Sequence, residues 1–154
     1  MAFRIVPMDT AVADQVRSTM RAPDYDHPAW SEVPVEPAPC RVCLDVIEPG
    51  VEPLVAFTYD PIRDTEDLPL PGPVFVHARS CAPYTDTATY PARLGRSGLL
   101  LNCYGRGRRL VHAERIAHAD AGTTLGELLA RPDVDYVHVR SATAGCYLCT
   151  AVPA

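Results

Sequence analysis

The stretch GPVFVHARSC, residues 72–81, reads as a short buried strand that carries a histidine and then a cysteine to one place. Side chains alternate along an extended chain, so Val74 and Val76 share one face, and Phe75 and His77 share the other. Two further segments have the composition to meet it. Upstream stands Pro39-Cys40-Arg41-Val42-Cys43. Downstream, Tyr136-Val137-His138-Val139-Arg140 runs on to Gly145-Cys146-Tyr147-Leu148-Cys149. These segments point to a site lined with thiols and imidazoles, without naming a reaction.

Around this strand the chain alternates short elements. Phe3 to Val6 reads as a strand. Asp9 is placed to cap a helix over residues 10–21, with Val12, Val16 and Met20 as its apolar stripe. Between Pro23 and Pro91 lie 13 of the 16 prolines, which exclude long helices there. Residues 22–39 read as an irregular proline-rich arm pinned by Tyr25 and Trp30, with disorder as the alternative. Residues 51–59 form a strand. Residues 60–73 form a proline-rich loop whose acids, Asp60, Asp64, Glu66 and Asp67, lack calcium-loop spacing and read as solvated. Leu99 to Tyr104 and Arg109 to Ala117 make a hairpin around Gly105 to Arg108. Thr124 and Glu127 form a capping box for a short helix reaching Ala130. Strands follow from Val134 to Arg140 and from Cys146 to Val152. Strands outnumber helices and the connections are too short for repeated βαβ crossovers. The expected fold is α+β: a curved, mostly antiparallel sheet with two short helices on one side, in a single domain over 1–154.

Composition narrows the function. All 14 basic residues are arginine, which removes Schiff-base and P-loop lysine mechanisms. A net charge of -5 argues against a nucleic-acid surface. No apolar run is long enough to span a membrane, and the N-terminus lacks a secretory signal core. The expected location is the cytoplasm, where six cysteines favour metal binding, redox work or simple packing over disulfides.

Three readings of the polar residues stay open. The first is zinc, drawn from Cys40, Cys43, Cys81 and Cys146, with His77 as substitute ligand. Three features oppose it: the gaps between the pairs are long, neither CxxC is followed by the glycine common in zinc knuckles, and in an extended strand Cys146 and Cys149 face opposite sides. The second is thiol chemistry at Cys40 or Cys81 with His77 or His138, against the plain alternative of buried thiols in the core, which suits Cys103 best. The third is a pocket in which Arg140 grips a small anion and His138 moves a proton, against a surface-facing strand. If the strand ending in His77 lies beside this one, both histidines face one pocket. His27, His112 and His118 read as bystanders.

The pieces PCRVCL (39–44), TYDP (58–61), GPVFVHARSC (72–81), VDYVHVR (134–140) and GCYLC (145–149) resemble, in order, the bacterial domain-of-unknown-function family numbered 1203. The resemblance implies a shared fold and a shared site at Cys40, Arg41, Cys43, Tyr59, His77, Cys81, His138, Arg140 and Cys146. It brings no reaction. Ile62 stands where an aromatic is expected, and Asn102-Cys103-Tyr104 where an arginine-containing strand is usual.

The expected protein is therefore a small intracellular one whose cysteine- and histidine-lined site binds zinc and binds or transforms a small anionic molecule. His77 and His138 are the catalytic candidates, and Arg140, Tyr59 and Arg41 the substrate-binding ones. As an enzyme it would run metal-assisted hydrolysis or lyase-type chemistry. The alternatives are a metal-free redox or cysteine-nucleophile enzyme, and a non-catalytic binding module with structural zinc or free thiols.

Overall fold

The computed structural model describes residues 2–62 and 70–154. Its elements run in chain order as β1 (Phe3–Val6), α1 (Thr10–Thr19), β2 (Trp30–Glu32), β3 (Ala38–Pro39), β4 (Val46–Ile47), β5 (Leu54–Tyr59), β6 (Gly72–His77), β7 (Leu99–Tyr104), β8 (Leu110–Ile116), α2 (Ala121–Leu129), β9 (Tyr136–Ser141) and β10 (Tyr147–Pro153). The fold is α+β with antiparallel sheets and little helix. The chain falls into two compact units, Met1–Val6 with Thr85–Ala154 and Pro7–Tyr84. No helix among the described residues is long and apolar enough to cross a membrane.

The unit closed by both termini is a five-stranded sheet in the order β1-β10-β9-β7-β8. Every pairing is antiparallel. One face supplies a core of Leu99, Leu101, Cys103, Val137 and Val139, all fully buried. α2 adds Leu125, Leu128 and Leu129. This helix begins at Ala121, three residues before the capping box at Thr124. A 3-10 turn over His118–Asp120 runs straight into it and buries Ala121, so Thr124 lies inside the helix instead of starting it.

The unit over 7–84 holds a three-stranded sheet, β2-β5-β6, and the two-stranded β3-β4. Asp9 caps α1 as its sequence position demands: its carboxylate accepts the Ala11 N–H at 2.9 Å. Ala13 and Val16 are buried on the helix's inner face. β6 is an edge strand of its sheet, and it belongs to a different sheet from β9. The His77 and His138 strands are therefore not neighbours.

Two local expectations give way to packing. Within the 22–39 arm, Trp30 is 55% exposed, so burial of its ring does not pin the arm. Tyr25 is also exposed, but its hydroxyl hydrogen-bonds the Asp60 carboxylate. Small residues fill the core instead. Ala22, Ala29 and Ala38 enter the core, and the Ala29 N–H donates to the Met20 carbonyl at 2.8 Å. Asp60 is not a solvated acid. It is buried, and its carboxylate accepts the N–H groups of Ile62 at 2.9 Å and Leu70 at 3.1 Å, closing the base of the loop. Asp64, Glu66 and Asp67 lie outside the described residues.

Two glycines make the packing testable. A Cβ at Gly105 would lie 2.5 Å from the Asp133 carbonyl oxygen, a backbone atom with little room to move. Gly122, in the first turn of α2, has open space. Gly105→Ala should destabilise the protein by about 1–3 kcal/mol. Gly122→Ala should stabilise it by roughly 0.5 kcal/mol through lost freedom of the unfolded chain. Urea unfolding of both variants checks the pair.

Candidate metal centre

β3 delivers Cys40 to a tight turn. The Cys40 N–H donates to the Asp45 carbonyl at 2.9 Å, and the Leu44 N–H donates to the Cys40 carbonyl at 3.0 Å. Leu44 closes the turn with φ +57°, the left-handed conformation that glycine adopts most readily. The missing glycine is thus no obstacle to a knuckle-like turn here, because leucine takes its conformation. The turn is fixed to β6 by a parallel bridge between Cys40 and Phe75 and by the Arg41 N–H on the Phe75 carbonyl at 3.1 Å. The Tyr84 N–H donates to the Val42 carbonyl at 3.0 Å, drawing the chain after Cys81 onto the same turn.

This arrangement gathers the thiols of Cys40, Cys43 and Cys81 within 4.8 Å of one another. Cys40 and Cys81 are 3.8 Å apart, sulfur to sulfur. Cys40 is fully buried, while Cys43 and Cys81 are half-buried. None of the six cysteines is in a disulfide. Negative charge settles on Cys40, whose thiol is pulled down to about 5. The largest cause is the Cys43 thiol donating to it, which outweighs burial; backbone N–H groups of Cys43, His77 and Val42 add to the effect. Cys43 is pushed far up because it is that donor and because it is buried. Cys81 is raised by burial and by the charge on Cys40, with the Arg17 guanidinium partly opposing. Three close thiols of this kind can hold a metal ion.

The surrounding groups are tightly placed. Arg17, reaching from α1, donates to the His77 carbonyl at 2.9 Å and points a second N–H at Cys81 sulfur at 3.6 Å. The His77 ring is not among the gathered donors; its Nδ1 pairs with the Glu52 carboxylate. The Arg41 side chain turns inward. It is 1% exposed, donates to the Pro39 carbonyl at 2.6 Å and lies over the Phe75 ring at 5.6 Å. That geometry makes it a brace of the thiol turn. Tyr59 ends β5 in a half-buried position, two residues past Phe57 on the same face.

The remaining expected residues are in the other unit. Cys146 sits in the turn before β10, where its carbonyl accepts the Ser141 N–H at 2.9 Å, and is not one of the three gathered thiols. Cys103 and Cys149 are fully buried strand residues, and burial pushes the Cys103 thiol up to about 11. His138 and Arg140 share a face of β9, but both are buried, so the surface-facing reading of that strand does not hold. The His138 ring lies among Tyr104, Tyr136 and Tyr147 with centroids 4.9, 5.1 and 5.3 Å away. Arg140 donates to the Gly145 carbonyl at 2.9 Å, bracing the turn that carries Cys146.

Sequence reasoning missed Arg17 and Glu52. Arg17 follows Val16 on a helix whose apolar stripe was legible, and the flank of that stripe was the available signal. Glu52 gives none, because it meets His77 only through the β5–β6 register, where Leu54 stands opposite His77.

No curated protein and no solved structure matches the chain. A family model described as "Protein of unknown function (DUF1203)" matches residues 37–152. Arg17 precedes the matched region, whereas Cys40, Cys43 and Cys81 all fall inside it. With most of its length matched and the three thiols included, the chain belongs to the DUF1203 family.

Proposed function

We propose that Cys40, Cys43 and Cys81 hold one zinc ion and leave its fourth position to water or a small anionic molecule. The spacing of the thiols carries this reading. A tetrahedral ion with zinc–sulfur bonds of about 2.3 Å sets its sulfurs about 3.8 Å apart, and Cys40 and Cys81 stand at 3.8 Å. Three protein ligands with one open position is also the pattern of exchangeable zinc sites, in contrast to closed structural ones. Thiolate ligands favour zinc or another soft ion over magnesium or calcium.

Charge decides what such a centre does best. Three thiolates more than neutralise a divalent ion, which weakens its pull on a bound water and repels an anion. Arg17, beside Cys81, supplies the compensating positive charge. We therefore place reversible metal and ligand binding ahead of hydrolysis. If chemistry follows, His77, held by Glu52, is the candidate proton carrier of this unit. A pocket of the other unit, in which Arg140 grips a small anion of its own and His138 moves a proton, is a separate proposal that rests on their shared face of β9.

A second reading, a cysteine nucleophile, draws on the lowered Cys40 thiol. Its weakness is access, since Cys40 is fully buried and a nucleophile must be reached by its substrate.

Titration with cobalt(II), followed by thiolate-to-metal absorption, tests the ligand set. One ion should bind per chain. Cys40→Ser, Cys43→Ser and Cys81→Ser should each weaken it beyond the roughly 10–100-fold typical of an outer contact. Arg17→Ala should weaken it by about 10-fold, and Cys146→Ser should leave it unchanged. Equal damage from Cys146→Ser and Cys43→Ser would remove this assignment.

The metal-free protein should also show a pH signature. Cys40 is lowered on folding, so its contribution is present above the ordinary thiol value of about 8.5 and is lost as pH falls toward about 5. Cys43 and Cys81 are raised, so their contribution is present below about 8.5 and is lost above it. The trio's contribution to stability should therefore peak near pH 8.5. Thermal melts of the wild type minus Cys40→Ser should rise between pH 5.5 and 8; a flat difference would contradict the charge placement.

A further inference from the structure

We propose that the same three thiols form an oxidation site, in which a peroxide joins Cys40 to Cys81 and thereby releases the metal. The Cys40 and Cys81 sulfurs are 3.8 Å apart, so a bond of about 2.05 Å requires an approach of only about 1.8 Å. The two residues differ in access and in freedom to move. Cys81 is half-buried and lies in an irregular segment after β6, whereas Cys40 is fully buried. Peroxide therefore reaches Cys81 before Cys40; Cys43 is half-buried too and is set apart by its turn.

Partner choice follows from which backbone yields. Cys40 and Cys43 belong to one turn that is tied down along its length: at Cys40 by Asp45, at Arg41 by Phe75 and Met8, at Val42 by Tyr84, and at Leu44 by Cys40. Drawing Cys43 onto Cys40 would distort that turn. Drawing Cys81 onto Cys40 displaces a loop residue held by no element hydrogen bond of its own sheet.

The chemistry balances with hydrogen peroxide as sole oxidant. One peroxide oxygen transfers to the Cys81 sulfur, the O–O bond breaks, and the thiol proton leaves with the other oxygen as water. The Cys40 sulfur then attacks the Cys81 sulfenic acid. The S–S bond forms, the S–O bond breaks, and the departing hydroxide takes up from solvent the proton that Cys40 gave up on ionising, which makes a second water. Two thiols and one peroxide become one disulfide and two waters. With a metal bound, two of its three thiolates are consumed and Cys43 alone cannot retain it. The release step rests on the zinc reading; the crosslink does not.

Trypsin separates the three residues cleanly. Cleavage after arginine puts Cys40 in peptide 22–41, Cys43 in 42–63 and Cys81 in 80–93. Metal-free protein treated with hydrogen peroxide, alkylated, denatured and digested without reductant should give the 22–41/80–93 crosslink as its main product. Cys43→Ser should still form it and Cys81→Ser should not. A dominant 22–41/42–63 crosslink, or Cys81 oxidised beyond sulfenic acid with no crosslink, overturns the proposal. Zinc-loaded protein should crosslink more slowly and release one zinc per disulfide, read with a metallochromic dye. A crosslink in protein that never binds zinc leaves this site standing and removes the zinc reading. Bound zinc in protein that never crosslinks does the reverse.

Discussion

The turn from Cys40 to Leu44 is the constraint on which the candidate centre depends. It brings two thiols together by local geometry, and its bridge to Phe75 places it at the end of the strand leading to the third. Leu44 carries the cost of closing it. The left-handed conformation costs a leucine about 1–2 kcal/mol, but burying that side chain returns about 1.5–3 kcal/mol, and Leu44 is 2% exposed. Burial thus holds a backbone shape that the residue would otherwise avoid. Arg41 works from the other side, its guanidinium donating to the Pro39 carbonyl and lying over the Phe75 ring.

Much of the fold was legible because it rests on local rules. The Asp9 cap, the β7–β8 hairpin and the alternation of β9 appear where their residues place them, while α1 buries Val16 of its stripe together with Ala13 and stops at Thr19, with Met20 as its cap. Features set by distant partners were not. Nothing in the order of strands tells that β6 and β9 belong to separate sheets, because alternation fixes which way a side chain faces and says nothing of which strand lies beside it. Trp30 was a natural anchor by size, yet an edge strand needs no large side chain once small residues nearby enter the core.

The candidate site divides the same way. Cys40 and Cys43 share a turn, so their spacing was informative. Cys81 stands four residues past the end of the strand over Gly72–His77, and the irregular segment after that strand brings it to the other two. Cys146 had comparable spacing to Cys149 but sits in the other unit, where spacing alone could not place it. Arg17 and Glu52 enter only through helix and sheet packing. They are the residues that turn a thiol cluster into a site with a counter-charge and a held histidine.

X-ray absorption at the metal edge of protein purified without chelator tests the central claim most directly. The account predicts zinc with three sulfur neighbours at about 2.3 Å and one oxygen or nitrogen neighbour. Four sulfurs would bring in a cysteine outside the trio, and a first shell of nitrogen and oxygen alone would contradict the thiol centre outright.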